Sequence, residues 1–164
     1  MTSFRRFSVA ISLLLFSNST TAAWQYTTWQ MSPEDVKNAA PNAVYQLSDA
    51  EQTAKSDASS PVRALLRSAH KSGDLDFTAY FSFDTRTNHL SMVTLELIDT
   101  QMAQRTLNEL TKKYGEPVEQ KSGVFSSAVW HSGNDQIVYF NLNNERITIS
   151  YFQRIEETLD NDGL

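Results

Sequence analysis

The chain has 164 residues, 20% of them charged and 40% hydrophobic, with 14 Lys plus Arg against 19 Asp plus Glu and a net charge of −5. That length bounds the answer at one domain or two small ones. The absence of cysteine excludes disulfide scaffolds, zinc ribbons and thiol chemistry, and with no cluster of Lys or Arg beyond Arg6 nothing neutralises a nucleic-acid backbone.

Residues 1 to 23 read as a secretory signal peptide. Arg5 and Arg6 precede a short apolar run, FSVAISLLLF, and the small residues Thr21 and Ala23 place cleavage after Ala23. Ten apolar residues fall well short of the ~20 that cross a bilayer, so the mature chain is expected to be periplasmic with no membrane span. Two Arg and no acid leave with the signal, so the mature charge is −7. That balance favours basic partners over anionic membranes.

Residues 31 to 41 (MSPEDVKNAAP) predict a helix: Ser32 caps it, Pro33 takes the first position, Glu34 and Asp35 face the positive end, and Met31 and Val36 form a hydrophobic staple. Pro41 ends it and directs residues 43 to 47 into a brief strand. Residues 48 to 60 (SDAEQTAKSDASS) lack a large apolar residue and predict a polar loop. Residues 62 to 71 fit two patterns, a helix on Val62, Leu65, Leu66 and Ala69 or a strand leading to the turn Ser72-Gly73-Asp74.

Residues 76 to 84 (DFTAYFSFD) alternate strictly, and residues 89 to 98 repeat the pattern, which predicts an antiparallel hairpin with one buried face. A second helix is expected over residues 100 to 114, with Ala103, Leu107, Leu110 and Tyr114 on one stripe, Lys112 and Lys113 at its negative end, and Gly115 and Pro117 beyond it. Strands follow at 124 to 131, 136 to 142 and 146 to 153, joined by turn-forming Gly, Asn and Asp. Residues 154 to 164 form an acidic, polar tail.

The two halves look alike. Ala43-Val44-Tyr45-Gln46 matches Pro117-Val118-Glu119-Gln120, and His70-Lys-Ser-Gly-Asp74 matches His131-Ser-Gly-Asn-Asp135. This weak repeat favours the strand for residues 62 to 71. The expected fold class is α+β: a single domain over residues 24 to 153, built from two α-β-β-β units in one antiparallel sheet with both helices on one face.

The residues Trp29-x-Met-Ser-Pro-x-x-Val36, Phe81-Ser-Phe-Asp84, Leu90-x-x-Val-x-Leu95, Tyr114-Gly-x-Pro117, Trp130 and Ile147-Thr-Ile-Ser-Tyr151 resemble small exported bacterial proteins of uncharacterised function. The layout is similar to the β-lactamase-inhibitor-like and outer-membrane-assembly small-subunit folds, although the cysteine usual in those groups is absent. The resemblance implies a protein-binding module.

No G-x-S-x-G elbow, preformed histidine pair or glycine-rich phosphate cradle occurs, so neither catalytic nor metal residues are assigned and no cofactor is expected. Acid pairs such as Asp74 with Asp76 or Asp84 with Glu96 flank turns, where carboxylates are ordinarily solvated. If Phe77, Phe81, Phe83, Val93, Leu95, Leu97, Val138, Phe140 and Leu142 face the helices, the open face carries Tyr80, Met92, Phe125, Tyr139 and Phe152. An aromatic face of that kind marks a partner site. The expectation is an exported binding or inhibitor module that is not an enzyme and receives another envelope protein, a basic one by charge, across an acidic rim. A homodimer would cover the same face. The alternatives are a small periplasmic hydrolase or metal-dependent enzyme acting on envelope polymers, and a structural envelope-assembly factor.

Overall fold

The computed structural model describes residues 24 to 154; the expected signal segment, 1 to 23, and the tail from 155 to 164 lie outside them. Helix α1 (Pro33–Ala39) begins in a reciprocal capping box, the Ser32 hydroxyl accepting from the Asp35 N–H and the Asp35 carboxylate from the Ser32 N–H. Ahead of Pro41 the chain turns extended at Ala40. Strand β1 (Tyr45–Gln46) is brief. Helix α2 (Asp49–Lys55) repeats the capping device with Ser48 and Glu51, and thereby corrects the loop expected over 48 to 60. It buries none of its own residues. Capping and polar ties hold it down: Gln52 Nε2 donates to the Leu47 carbonyl at 3.0 Å, and Lys55 reaches the Glu96 carboxylate.

The remaining elements are β2 (Val62–Ser72), β3 (Leu75–Asp84), β4 (Leu90–Leu97), a 3₁₀ turn over Thr100–Met102 that leads into α3 (Ala103–Tyr114), β5 (Glu119–Lys121), β6 (Ser126–Ser132), β7 (Asp135–Leu142) and β8 (Arg146–Gln153). They form an α+β fold on one eight-stranded antiparallel sheet, ordered β1-β2-β3-β4-β8-β7-β6-β5. Each half runs from an outer edge inward, and the halves join where β4 pairs with β8. Residues 62 to 71 are therefore strand, as the repeat favours. Equivalent two-residue hairpin loops, Gly73-Asp74 and Gly133-Asn134, close β2 on β3 and β6 on β7. In each the glycine comes first, at φ +63° and +59°, the left-handed position a type II′ hairpin demands.

One face of the sheet is covered by α1, α3 and the segment that starts at Trp24. The core there runs from Leu66 through Ala79, Phe81, Val93, Leu95, Ile149, Tyr151, Ile137 and Tyr139 to Ala128 and Trp130. Trp24 packs edge-on against Phe81, with ring centroids 5.5 Å apart. On α3 the buried positions are Ala103, Thr106 and Leu110, so the contact stripe is rotated from the expected one, and Leu107 and Tyr114 are half-buried at its margin. Trp130 Nε1 donates to the Gly115 carbonyl at 2.8 Å, satisfying an acceptor just past the helix end.

Register in β7 differs from expectation. Asp135, Ile137 and Tyr139 face the core, whereas Val138, Phe140 and Leu142 face outward. Both parities of this strand are apolar, so alternation alone does not choose between them. Pairing chooses: Tyr139 lies opposite Ile149 and Ala128, and Ile137 opposite Tyr151 and Trp130. In β4 a bulge against β3 leaves Ser91 unpaired and brings Leu90 opposite Phe83, both of them buried.

Candidate functional site: the outer face of the sheet

The face opposite α1 and α3 is assembled from alternate residues of every strand. Over β2 it is occupied by α2, whose Lys55 side chain reaches across to β3 and β4. Lys55 Nζ sits 4.7 Å from the centre of the Tyr80 ring, Arg67 pairs with Glu51 at 3.5 Å, and the Ala64 N–H donates to Ser56 Oγ at 3.0 Å. Leu47 and Ala64 are buried on this side, apart from the main core. Beyond β4 no element covers the face among the described residues.

Cross-strand register arranges that bare half in rows. Met92 lies opposite Phe152, which lies opposite Gln136. The next row runs Thr94, Ser150, Val138, Val129 and Glu119, and the third Glu96, Thr148, Phe140, Ser127 and Lys121. Phe125, just ahead of β6, packs its ring on Phe140 at 5.3 Å. Leu142 extends the same side of β7. Side chains at Phe125 (46% exposed), Val124 (76%) and Leu142 (36%) are large apolar groups left in water at one end of the sheet.

The five partner-binding residues expected from sequence separate accordingly. Phe125 is exposed on the bare half, and Met92 and Phe152 are half-buried side by side at its inner margin. Tyr80 is half-buried on the outer face with Lys55 Nζ of α2 over its ring, and it lines a cleft of about 220 Å³ together with Met92, Thr94 and Ser150. Tyr139 is a correction: it is 2% exposed on the opposite face, and its hydroxyl donates to the Ala103 carbonyl of α3 at 3.3 Å. Burial pushes its phenol pKa up from the ordinary tyrosine value. Val129, Val138 and Phe140 take the place that sequence reasoning gave to Tyr139. The signal for them was the β7–β8 pairing, which a single strand's pattern does not carry.

The rim is balanced rather than acidic. Glu119 pairs with Lys121 at 2.6 Å beside Val129, and Arg146 approaches Glu96 at 3.9 Å. The histidines do not converge: His89 and His131 are exposed, and His70 is half-buried against Trp24 and Phe77. Among the described residues no three His, Asp or Glu side chains gather closely enough to hold a metal ion, and no helix is long and apolar enough to cross a membrane. The surface offers apolar contact and backbone edges. No family model, curated protein or solved structure matches this chain.

Proposed function

We propose that the mature chain is an exported, cofactor-free module that binds another envelope protein through the outer face of β5 to β8. The observation that supports this reading is the asymmetry of the sheet: α2 packs on the outer face of β2 in the first half, and the equivalent surface of the second carries Phe125, Val129, Val138, Phe140 and Leu142 without a helix over it among the described residues. Flat apolar strands with paired charges at their margin present rigid anchors whose side-chain entropy is already spent. The mature charge of −7 adds long-range attraction for a basic partner, while the balanced rim leaves the contact itself apolar. An envelope-assembly role uses the same surface and differs only in the complex it enters.

The test is photocrosslinking in intact cells, with a photoreactive phenylalanine analogue at Val138 or Phe125 and a control at Arg63 on β2. A discrete heterologous adduct at the two patch positions, lost with Phe140→Asp and absent from the control, is the expected result. Adducts of twice the chain mass would assign the face to a second copy, and no adduct at either position would refute the docking role.

A further inference from the structure

The opposite, helix-covered face contains a second feature, independent of the docking surface. Between α3 and the segment at Trp24 a cleft of about 280 Å³ opens directly over the junction of the two sheet halves. Its floor is the outermost layer of the core, Phe77, Leu95, Ile149 and Tyr151, each 2–4% exposed; Leu95 and Ile149 are a cross-strand pair that joins β4 to β8. One wall is Thr106, Glu109, Leu110 and Lys113 of α3, and the other is Trp24, Gln25 and His70. A concave apolar floor with a few polar groups on its lip is the ordinary form of a small-molecule site.

The lip decides the ligand's head group. Lys71 is already held by Asp76, at 2.9 and 3.1 Å to its two oxygens. Lys113 has no carboxylate within ion-pair distance among the described residues; its ammonium lies 4.8 Å over the Tyr114 ring. Glu109 stands one helical turn away on the same lip without closing a bridge to it. Across the cleft the Gln25 amide nitrogen is 3.1 Å from His70 Nδ1, and because an amide nitrogen only donates, neutral His70 carries its proton on Nε2. Burial and the Lys113 charge hold the imidazole pKa below its ordinary value, so near neutral pH His70 is a donor and not a second cation. The lip thus offers, among the described residues, the Lys113 ammonium without a carboxylate partner and the His70 imidazole above an apolar floor, with the Glu109 carboxylate a turn away from Lys113.

We propose that this cleft binds a small amphiphilic carboxylate, its hydrocarbon chain on Phe77, Leu95, Ile149 and Tyr151 and its head group at Lys113 and His70. Apolar burial sets the chain-length dependence. At roughly 0.8 kcal/mol per methylene, affinity rises about fourfold for each carbon added until the floor is covered.

The experiment is calorimetric titration of the mature chain with hexanoate, heptanoate and octanoate below their micellar concentrations, with octylammonium as the control for head-group sign. Expected are a rise of about fourfold per carbon, little binding of octylammonium, and a loss of about tenfold in Lys113→Gln with the chain-length slope unchanged. Lys113 is exposed, so that variant keeps its fold. A flat chain-length series, equal binding of octylammonium, or an unaltered affinity in Lys113→Gln would each overturn the proposal.

Discussion

Sequence alternation assigns Tyr139 and Phe125 to the same open face, yet they occupy environments that give opposite responses to truncation. Tyr139→Ala removes a ring that is 2% exposed and wedged between the sheet and the first turn of α3. Large aromatic to alanine changes in a core cost about 3–5 kcal/mol through lost transfer energy and the cavity left behind. Tyr139→Phe keeps the ring and loses only the bond to the Ala103 carbonyl, about 1 kcal/mol. Phe125→Ala removes a half-exposed ring whose main contact is Phe140, about 0.5–1 kcal/mol. Urea titration of residues 24 to 164 reads all three. With a slope near 2 kcal/mol per molar, Tyr139→Ala should lower the midpoint by about 2 M and Phe125→Ala by less than about 0.5 M. Equal shifts for the two alanine variants, or a Tyr139→Ala midpoint within about 0.5 M of the parent, would mean that β7 presents its other face to the helices and would refute the register described above.

Three further outcomes follow from single contacts. Trp29→Phe removes the 2.7 Å bond from Nε1 to the buried Asp135 carboxylate and should cost about 1.5–3 kcal/mol in the same titration, whereas a loss under about 0.5 would show that the bond contributes little. Gly73→Ala and Gly133→Ala each force a side chain into the left-handed region and should each cost about 1–2 kcal/mol, equally in the two halves; a change in only one would deny the equivalence of the hairpins. Backbone N–H bonds from Thr87 and Arg86 hold the Asp84 carboxyl below its ordinary pKa, so its contribution is present above about pH 4 and is lost as pH falls through the lower folded value. Asp84→Asn should flatten the acid limb of a plot of urea midpoint against pH, and an unchanged limb would assign that limb to other carboxylates.

Much of this fold is written in local patterns. The Ser32-Pro33 start of α1, the strict alternation of residues 76 to 84 and the Gly115 end of α3 each follow from a few adjacent residues, and the structure places these elements within about three residues of their expected bounds. The repeat also carried information beyond local pattern, since it favoured β2 as a strand when periodicity allowed a helix. The outward surface was legible only in part. Val138 and Phe140 are as apolar as Ile137 and Tyr139, so β7 alone does not declare its buried side; the partner strands and the two-residue turn at Gly133 do. In α2 every side chain is small or polar, and the Ser48–Glu51 capping box was the signal that its composition concealed. The cleft beside Trp24 depends on how far α3 lies from the N-terminal segment, a distance no single element encodes.

The most direct measurement of the proposed docking is residue-resolved hydroxyl-radical footprinting of residues 24 to 164, purified alone and then in periplasmic extract. Phe125, Val138 and Phe140 are expected to gain protection in the extract, while Tyr80, already under Lys55 of α2, keeps its rate. Unchanged labelling of all three patch residues, or protection confined to the helix-covered side around Trp24, would contradict it.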